Sequence, residues 1–131
     1  MQFYSTNRKT SPVSLREAVV RGLAADRGLF MPEVIRRFPP AFYQNMKEMT
    51  LREISFVVAE AFFGEDVEAG KLKEIVDETL NFDIPLVKVA DNRYSLELFH
   101  GPTLAFKDVG ARFMARLLAY FNKQEGERQV N

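Results

Sequence analysis

Leu96-Glu97-Leu98-Phe99-His100-Gly101-Pro102-Thr103-Leu104-Ala105-Phe106-Lys107-Asp108 is the stretch on which the reading of this chain turns. An apolar run ends, a tight Gly-Pro loop follows, and an aromatic and a lysine open an amphipathic helix. Lys107 therefore sits at a seam between loop and helix. Functional groups concentrate on such loops, held in place by rigid elements.

A lysine is a nucleophile only as the free amine. Desolvation beside apolar groups, a neighbouring positive charge or the positive end of a helix favours that form. Leu104, Ala105 and Phe106 are expected to supply an apolar wall for Lys107. A lysine so placed reacts with carbonyl compounds, and pyridoxal phosphate is the commonest such partner in enzymes. Read alone, Phe106-Lys107-Asp108 is a solvated lysine followed by a first-turn acid that the helix dipole favours.

The wider stretch changes that weighting. Leu96 to Arg116, LELFHGPTLAFKDVGARFMAR, closely resembles the pyridoxal-phosphate lysine segment of the threonine synthase family, with His-Gly-Pro-Thr and Phe-Lys-Asp at the family's spacing. Tyr4-Ser5-Thr6, Val13-Ser14, Gly22-Leu23-Ala24 and Gly28-Leu29-Phe30-Met31-Pro32 resemble the amino-terminal region of that family. Phe82-Asp83-Ile84-Pro85-Leu86 resembles its connector. The likeness is strongest over 96–116 and weakest over 33–80.

The resemblance implies a pyridoxal 5'-phosphate enzyme converting O-phospho-L-homoserine and water to L-threonine and phosphate. Lys107 would bind the cofactor and then shuttle protons. Phe106 would pack beside the cofactor ring, and Asp108 would order the helix start or contact the site. The implied class is α/β, a helix-rich α+β fragment forming the amino-terminal part of a tryptophan synthase β-like fold. Residues 1–80 would be an amino-terminal helical subdomain, and 81–131 the start of the cofactor-binding domain. A dehydratase or cysteine synthase relative fits the Glu-Leu-Phe-His-Gly-Pro-Thr context poorly, and two further alternatives stand beside this. One is a related phospho-lyase that eliminates phosphate from the same substrate to leave a keto acid. The other is a non-catalytic helical domain that binds a partner.

Composition narrows the field. The 131 residues are 47% hydrophobic and 27% charged, enough for a real core, and the net charge is zero. No basic footprint for nucleic acid or for an acidic membrane surface is present. The absence of Cys removes disulfides, thiolate metal sites and Cys nucleophiles, and a single His removes a His-rich metal site. No apolar run reaches membrane-spanning length, and the first residues lack a signal core, so the cytoplasm is the expected compartment. The expected partner is a small-molecule substrate, and nothing in the sequence fixes an oligomeric state.

In chain order, Gln2–Ser5 reads as a short strand and Arg8–Pro12 as loop. Ser14-Leu15-Arg16-Glu17 reads as a capping box, opening a helix whose Leu15, Ala18, Val19, Gly22 and Leu23 share a face and which ends near Ala25. Asp26-Arg27-Gly28 is a turn in which Gly28 is expected to take positive φ. Leu29-Phe30-Met31 is a short buried strand or loop stopped by Pro32. Ala41–Met46 fits a turn or two of helix after Pro39-Pro40.

Thr50-Leu51-Arg52-Glu53 is a second capping box. The stripe Ile54, Val57, Val58, Ala61 and Phe62 follows, with Gly64 at the stop. Glu68 to Leu80 is a third helix, with Leu72, Ile75, Val76 and Leu80 inward. Leu86–Val89 and Tyr94–Phe99 flank Asp91-Asn92-Arg93 as a hairpin, with Glu97 outward on the second strand. The last helix is expected over 107–122, with Gly110 and Ala111 allowing close backbone approach, Gly126 ending it and a strand beginning at Val130.

A pyridoxal phosphate site also needs a phosphate cradle, commonly Gly-rich amides at a helix N-terminus. Gly101-Pro102-Thr103 offers one glycine and no amide at Pro102. In the family resembled, a Ser-Gly-Asp/Asn-Thr-Gly type loop follows shortly after this point. The expectation is therefore an amino-terminal fragment of a longer enzyme, holding the lysine but without turnover by itself.

Overall fold

A computed structural model describes residues 1–129 as two compact units, Met1–Glu74 and Ile75 onward. The division falls inside a helix, where the sequence suggests a boundary just after it.

The first unit opens with a three-stranded antiparallel sheet. β1 (Gln2–Ser5) lies between β2 (Val13–Ser14) and β3 (Phe30–Pro32), with Phe3 opposite both Val13 and Pro32. Side chains alternate along a strand, so Phe3 and Ser5 turn inward together, and both are buried. β3 is only half-buried: Met31 is 39% exposed, and Leu29 just before it is 61% exposed. The expected buried strand is therefore an edge.

α1 (Leu15–Arg21) starts where its cap predicts, the Ser14 hydroxyl accepting the Glu17 amide at 3.2 Å. Glu17 does not complete the box; it pairs with Arg21, one turn on, at 3.1 Å. The helix also stops earlier than its apolar pattern suggests. Gly22 adopts φ 72°, a conformation open to glycine and costly for other residues, and its amide closes on the Ala18 carbonyl at 3.0 Å. Leu23 is thereby turned out and is 55% exposed.

The bend that follows is built differently from expectation. Arg27, not Gly28, takes positive φ, at 66°. Gly28 is required because a Cβ there would lie 2.0 Å from Ser5 Oγ and 2.9 Å from the Asn7 amide nitrogen. The Asp26 carboxylate holds this approach together. It accepts from the Ser5 hydroxyl at 2.5 Å, the Gly28 amide at 3.0 Å and the Lys9 amide at 2.9 Å. The Ser5 hydroxyl, acting against the effect of burial and helped by the Gly28 and Lys9 amides, holds Asp26 below the usual carboxylate range.

α2 (Pro40–Asn45) and a single 3-10 turn (Met46–Glu48) lead to α3 (Leu51–Phe63). Here the capping box is complete: the Thr50 hydroxyl accepts the Glu53 amide at 3.3 Å, and the Glu53 carboxylate accepts the Thr50 amide at 2.7 Å. α4 (Ala69–Thr79) carries the expected apolar stripe, and Leu72, Ile75, Val76 and the following Leu80 are all buried.

In the second unit, β4 (Leu86–Ala90) and β5 (Arg93–Leu96) form the expected hairpin. Its turn residue Asn92 sits at φ 57°, a region Asn tolerates. β5 ends at Leu96, so Glu97 lies beyond the strand. α5 (Lys107–Gln129) is longer than expected and passes through Gly126. One glycine costs a helix about 1 kcal/mol relative to Ala and does not by itself end it. The strand expected from Val130 lies outside the described residues.

α5 buries Leu117 and Phe121 and is tied to the end of α4. Arg112 Nη2 donates to the Glu78 carbonyl at 2.9 Å and to Asn81 Oδ1 at 3.0 Å, and Arg116 Nε donates to Glu78 Oε2 at 2.8 Å. Gly110 is not a contact point, because a Cβ there would meet nothing within 4 Å. Among the described residues no helix is long and apolar enough to cross a membrane, and no cluster of His, Cys, Asp or Glu is placed to hold a metal ion.

Candidate active site

The loop between β5 and α5 is pinned at both ends. The Glu97 amide donates to the Pro85 carbonyl at 3.0 Å. Glu97 Oε2 then meets His100 Nε2 at 2.7 Å, and the His100 ring stacks on Phe99 with centroids 4.7 Å apart. His100 is thus a hydrogen-bonded loop residue.

At the other end stands Asp108, in the first turn of α5. Only 2% of Asp108 is exposed. Its two oxygens each accept from Thr103, Oδ2 from the amide and Oδ1 from the hydroxyl, both at 2.8 Å. Burial pushes this carboxyl up. The Thr103 hydroxyl and amide and the Arg112 charge more than reverse that, and Asp108 stays below the usual carboxylate range.

The clamp leaves no room beside it. A Cβ on buried Gly101 would lie 2.6 Å from Asp108 Oδ2 and 3.0 Å from Phe82 Cζ. Between Gly101 and Asp108 the chain turns sharply, with the Leu104 amide donating to the Gly101 carbonyl at 3.0 Å. Leu104 sits at φ 54°, which costs a branched L-residue about 1–2 kcal/mol. Strain of this kind persists only where the surroundings over-determine it, and it clusters at functional sites. Here the Thr103–Asp108 bonds do the determining.

Lys107 is the first residue of α5. It is exposed, and it makes no hydrogen bond or ion pair among the described residues. The apolar wall expected around it is not formed: Leu104 is 77% exposed and Phe106 73%. Strained φ at Leu104 and the tight turn into α5 direct both side chains outward, so they offer an apolar surface and do not enclose the amine. The three residues singled out from sequence therefore have separate places: Lys107 free and accessible, Phe106 displayed beside it in the chain, Asp108 buried and spent on the loop. Gly101 and Thr103 enter the sequence reading only as part of a phosphate cradle, and their packing against Asp108 escapes it. The signal available was a hydroxyl residue directly after a Gly-Pro pair and five residues before a first-turn acid.

Comparison with known proteins decides the family. A family model described as "Threonine synthase N terminus" matches residues 2–80, including the stretch where the motif-level resemblance is weakest. The chain belongs to the threonine synthase family. Threonine synthase from Haemophilus influenzae is 41% identical over 119 residues, and the match covers 91% of this chain and 28% of that protein. The enzyme from Serratia marcescens is 40% identical over the same length and coverage.

Among solved structures, Escherichia coli threonine synthase superposes with a TM-score of 0.86 at 35% identity, over 93% of this chain and 28% of that one. PLP-bound threonine synthase from Brucella melitensis superposes with a TM-score of 0.90 at 33% identity, over 96% and 28%. The chain thus spans a little over a quarter of the length of these threonine synthases. Its mixed helix and strand architecture matches the amino-terminal part of the tryptophan synthase β-like fold of these PLP-dependent enzymes, as the α/β class expected from sequence requires.

Proposed function

We propose that the protein works as a threonine synthase in the cytoplasm. It would convert O-phospho-L-homoserine and water to L-threonine and phosphate with pyridoxal phosphate, residues 1–80 serving as amino-terminal subdomain and 81–131 opening the cofactor domain. The observation that carries this is a free, exposed Lys107 fixed at the start of α5 by a buried carboxylate clamp, in a chain of the threonine synthase family. An unpartnered amine at the head of a rigid helix fits a carbonyl cofactor, and the displayed Phe106 fits an aromatic ring. When bound, pyridoxal phosphate supplies the electron sink for ionising carbon–hydrogen bonds next to the substrate nitrogen.

The chain's own residues then have distinct tasks. Lys107 Nζ would hold the cofactor and then take and return protons at the substrate carbons. Phe106 would pack beside the cofactor ring. Asp108 spends both carboxylate oxygens on Thr103 and would act by position. By holding Thr103 it fixes where α5 begins, and hence where Nζ can reach. Positioning of this kind matters, because a misplacement of about 1 Å can cost on the order of a hundredfold in rate.

The test uses the protein at its natural full length, assayed for phosphate and for threonine released from O-phospho-L-homoserine. Equal amounts of both are expected, and Lys107→Ala should lower the rate by at least about 10²–10⁴-fold, the usual contribution of a proton-transferring group. Phosphate with a keto acid in place of threonine would make the protein a phospho-lyase. No phosphate release at all would remove the enzyme reading.

A further inference from the structure

The first unit contains a second place where unsatisfied groups converge, on residues that the lysine chemistry does not use. Tyr4 of β1, Arg8, Thr10 and Pro12 of the β1–β2 connection, and Glu33 just after β3 line an open surface cavity of about 400 Å³, with Arg8, Pro12 and Glu33 exposed at its rim. That lies in the range of small-molecule sites, about 300–1,000 Å³. We propose that this cavity binds the α-ammonium and α-carboxylate of a free amino acid.

Two observations converge on that ligand. Arg8 lies over the Tyr4 ring, its guanidinium carbon 4.4 Å from the centroid. A guanidinium presents a fork of N–H donors that matches a planar carboxylate. Glu33 lines the same cavity, and neither Arg8 nor Glu33 has an ion-pair partner among the described residues.

The backbone presenting Arg8 is fixed on both sides. Its φ is 54°, its amide donates to the Ser5 carbonyl at 2.9 Å, and the next amide, Lys9, is held by Asp26. One fixed cation and one anion in a single cavity match a zwitterion. A phosphate would meet Glu33, and a metal ion would meet Arg8. In the bound arrangement the ligand carboxylate lies on Arg8, the ammonium on Glu33, and the side chain against Tyr4 and Pro12.

The test titrates the full chain, labelled with ¹³C-methyl threonine, while the Thr10 methyl resonance is followed; Thr10→Ser identifies that resonance. The probe is L-valine, compared with isobutylamine, which lacks the carboxylate, and 3-methylbutanoate, which lacks the amine. The Thr10 signal is expected to move saturably with L-valine, with half-saturation at least tenfold below that of either analogue. Glu33→Gln should weaken L-valine at least tenfold. A Thr10 resonance unmoved by L-valine, or analogues equal to it, would overturn the proposal. The analogue comparison on the wild-type chain decides the matter even if Glu33→Gln does not fold.

Discussion

Gly101→Ala and Gly110→Ala are the same chemical change in the same unit, and the structure predicts opposite effects. At Gly101 the added methyl would sit 2.6 Å from Asp108 Oδ2, 2.9 Å from Asp108 Cβ and 3.0 Å from Phe82 Cζ. The carboxylate cannot swing away, because Thr103 holds both its oxygens, and Cβ cannot move without moving the α5 backbone. Inserting one carbon into such a site costs about 1–3 kcal/mol. At Gly110 the methyl meets nothing within 4 Å, and the position is exposed, in the first turn of α5. There the gain in helix propensity is at most about 0.5–1 kcal/mol.

Urea unfolding followed by far-ultraviolet circular dichroism reads both. With a slope of about 2 kcal/mol per molar, the midpoint should fall by about 0.5–1.5 M for Gly101→Ala and rise by at most about 0.3–0.5 M for Gly110→Ala. In the full-length protein Gly101→Ala should also lower kcat, since it shifts the loop that sets the Lys107 position. Gly110→Ala should leave kcat unchanged. Shifts of the same sign, or an unaltered midpoint for Gly101→Ala, would refute the packing described around Asp108.

Leu72→Ala, at a fully buried position on α4, should destabilise by about 2–5 kcal/mol, whereas Lys47→Ala on the surface should stay within about 0.5 kcal/mol; urea melts distinguish them. Thr50→Ala removes the cap of α3 and should cost about 1 kcal/mol by the same assay. Asp26 gives a pH signature. Its folded pKa is depressed, so its stabilisation is complete above the unfolded value of about 3.9 and is lost as pH falls through the lower folded value. Asp26→Asn should therefore be less stable than wild type at pH 6, with the gap closing toward pH 2 in thermal melts.

Local rules made much of the architecture legible. The Thr50–Glu53 box, the α4 stripe and the Asn92 hairpin depend on neighbours within a few residues, and all three formed as read. What escaped depends on distance or on competition. Glu17 had two acceptable partners, and the one a turn ahead won over the cap. Gly28 is fixed by Ser5, far away in sequence, so its spacing suggested a turn and not a close approach. In the site, the lysine was visible through a motif, but the clamp was not. Thr103 and Asp108 meet across a bend whose shape follows from the strained Leu104 backbone, and nothing in the residue types announces a left-handed leucine. The outward display of Leu104 and Phe106 follows from that same bend.

The most direct test of the central claim is reductive trapping on the protein at its natural full length. Pyridoxal phosphate is added, borohydride fixes it covalently to whichever amine holds it, and peptide mass spectrometry locates the pyridoxyl group. A stoichiometric label on Lys107 is the predicted result. A folded full-length protein without label on Lys107 would contradict the assignment of the cofactor lysine and with it the proposed activity.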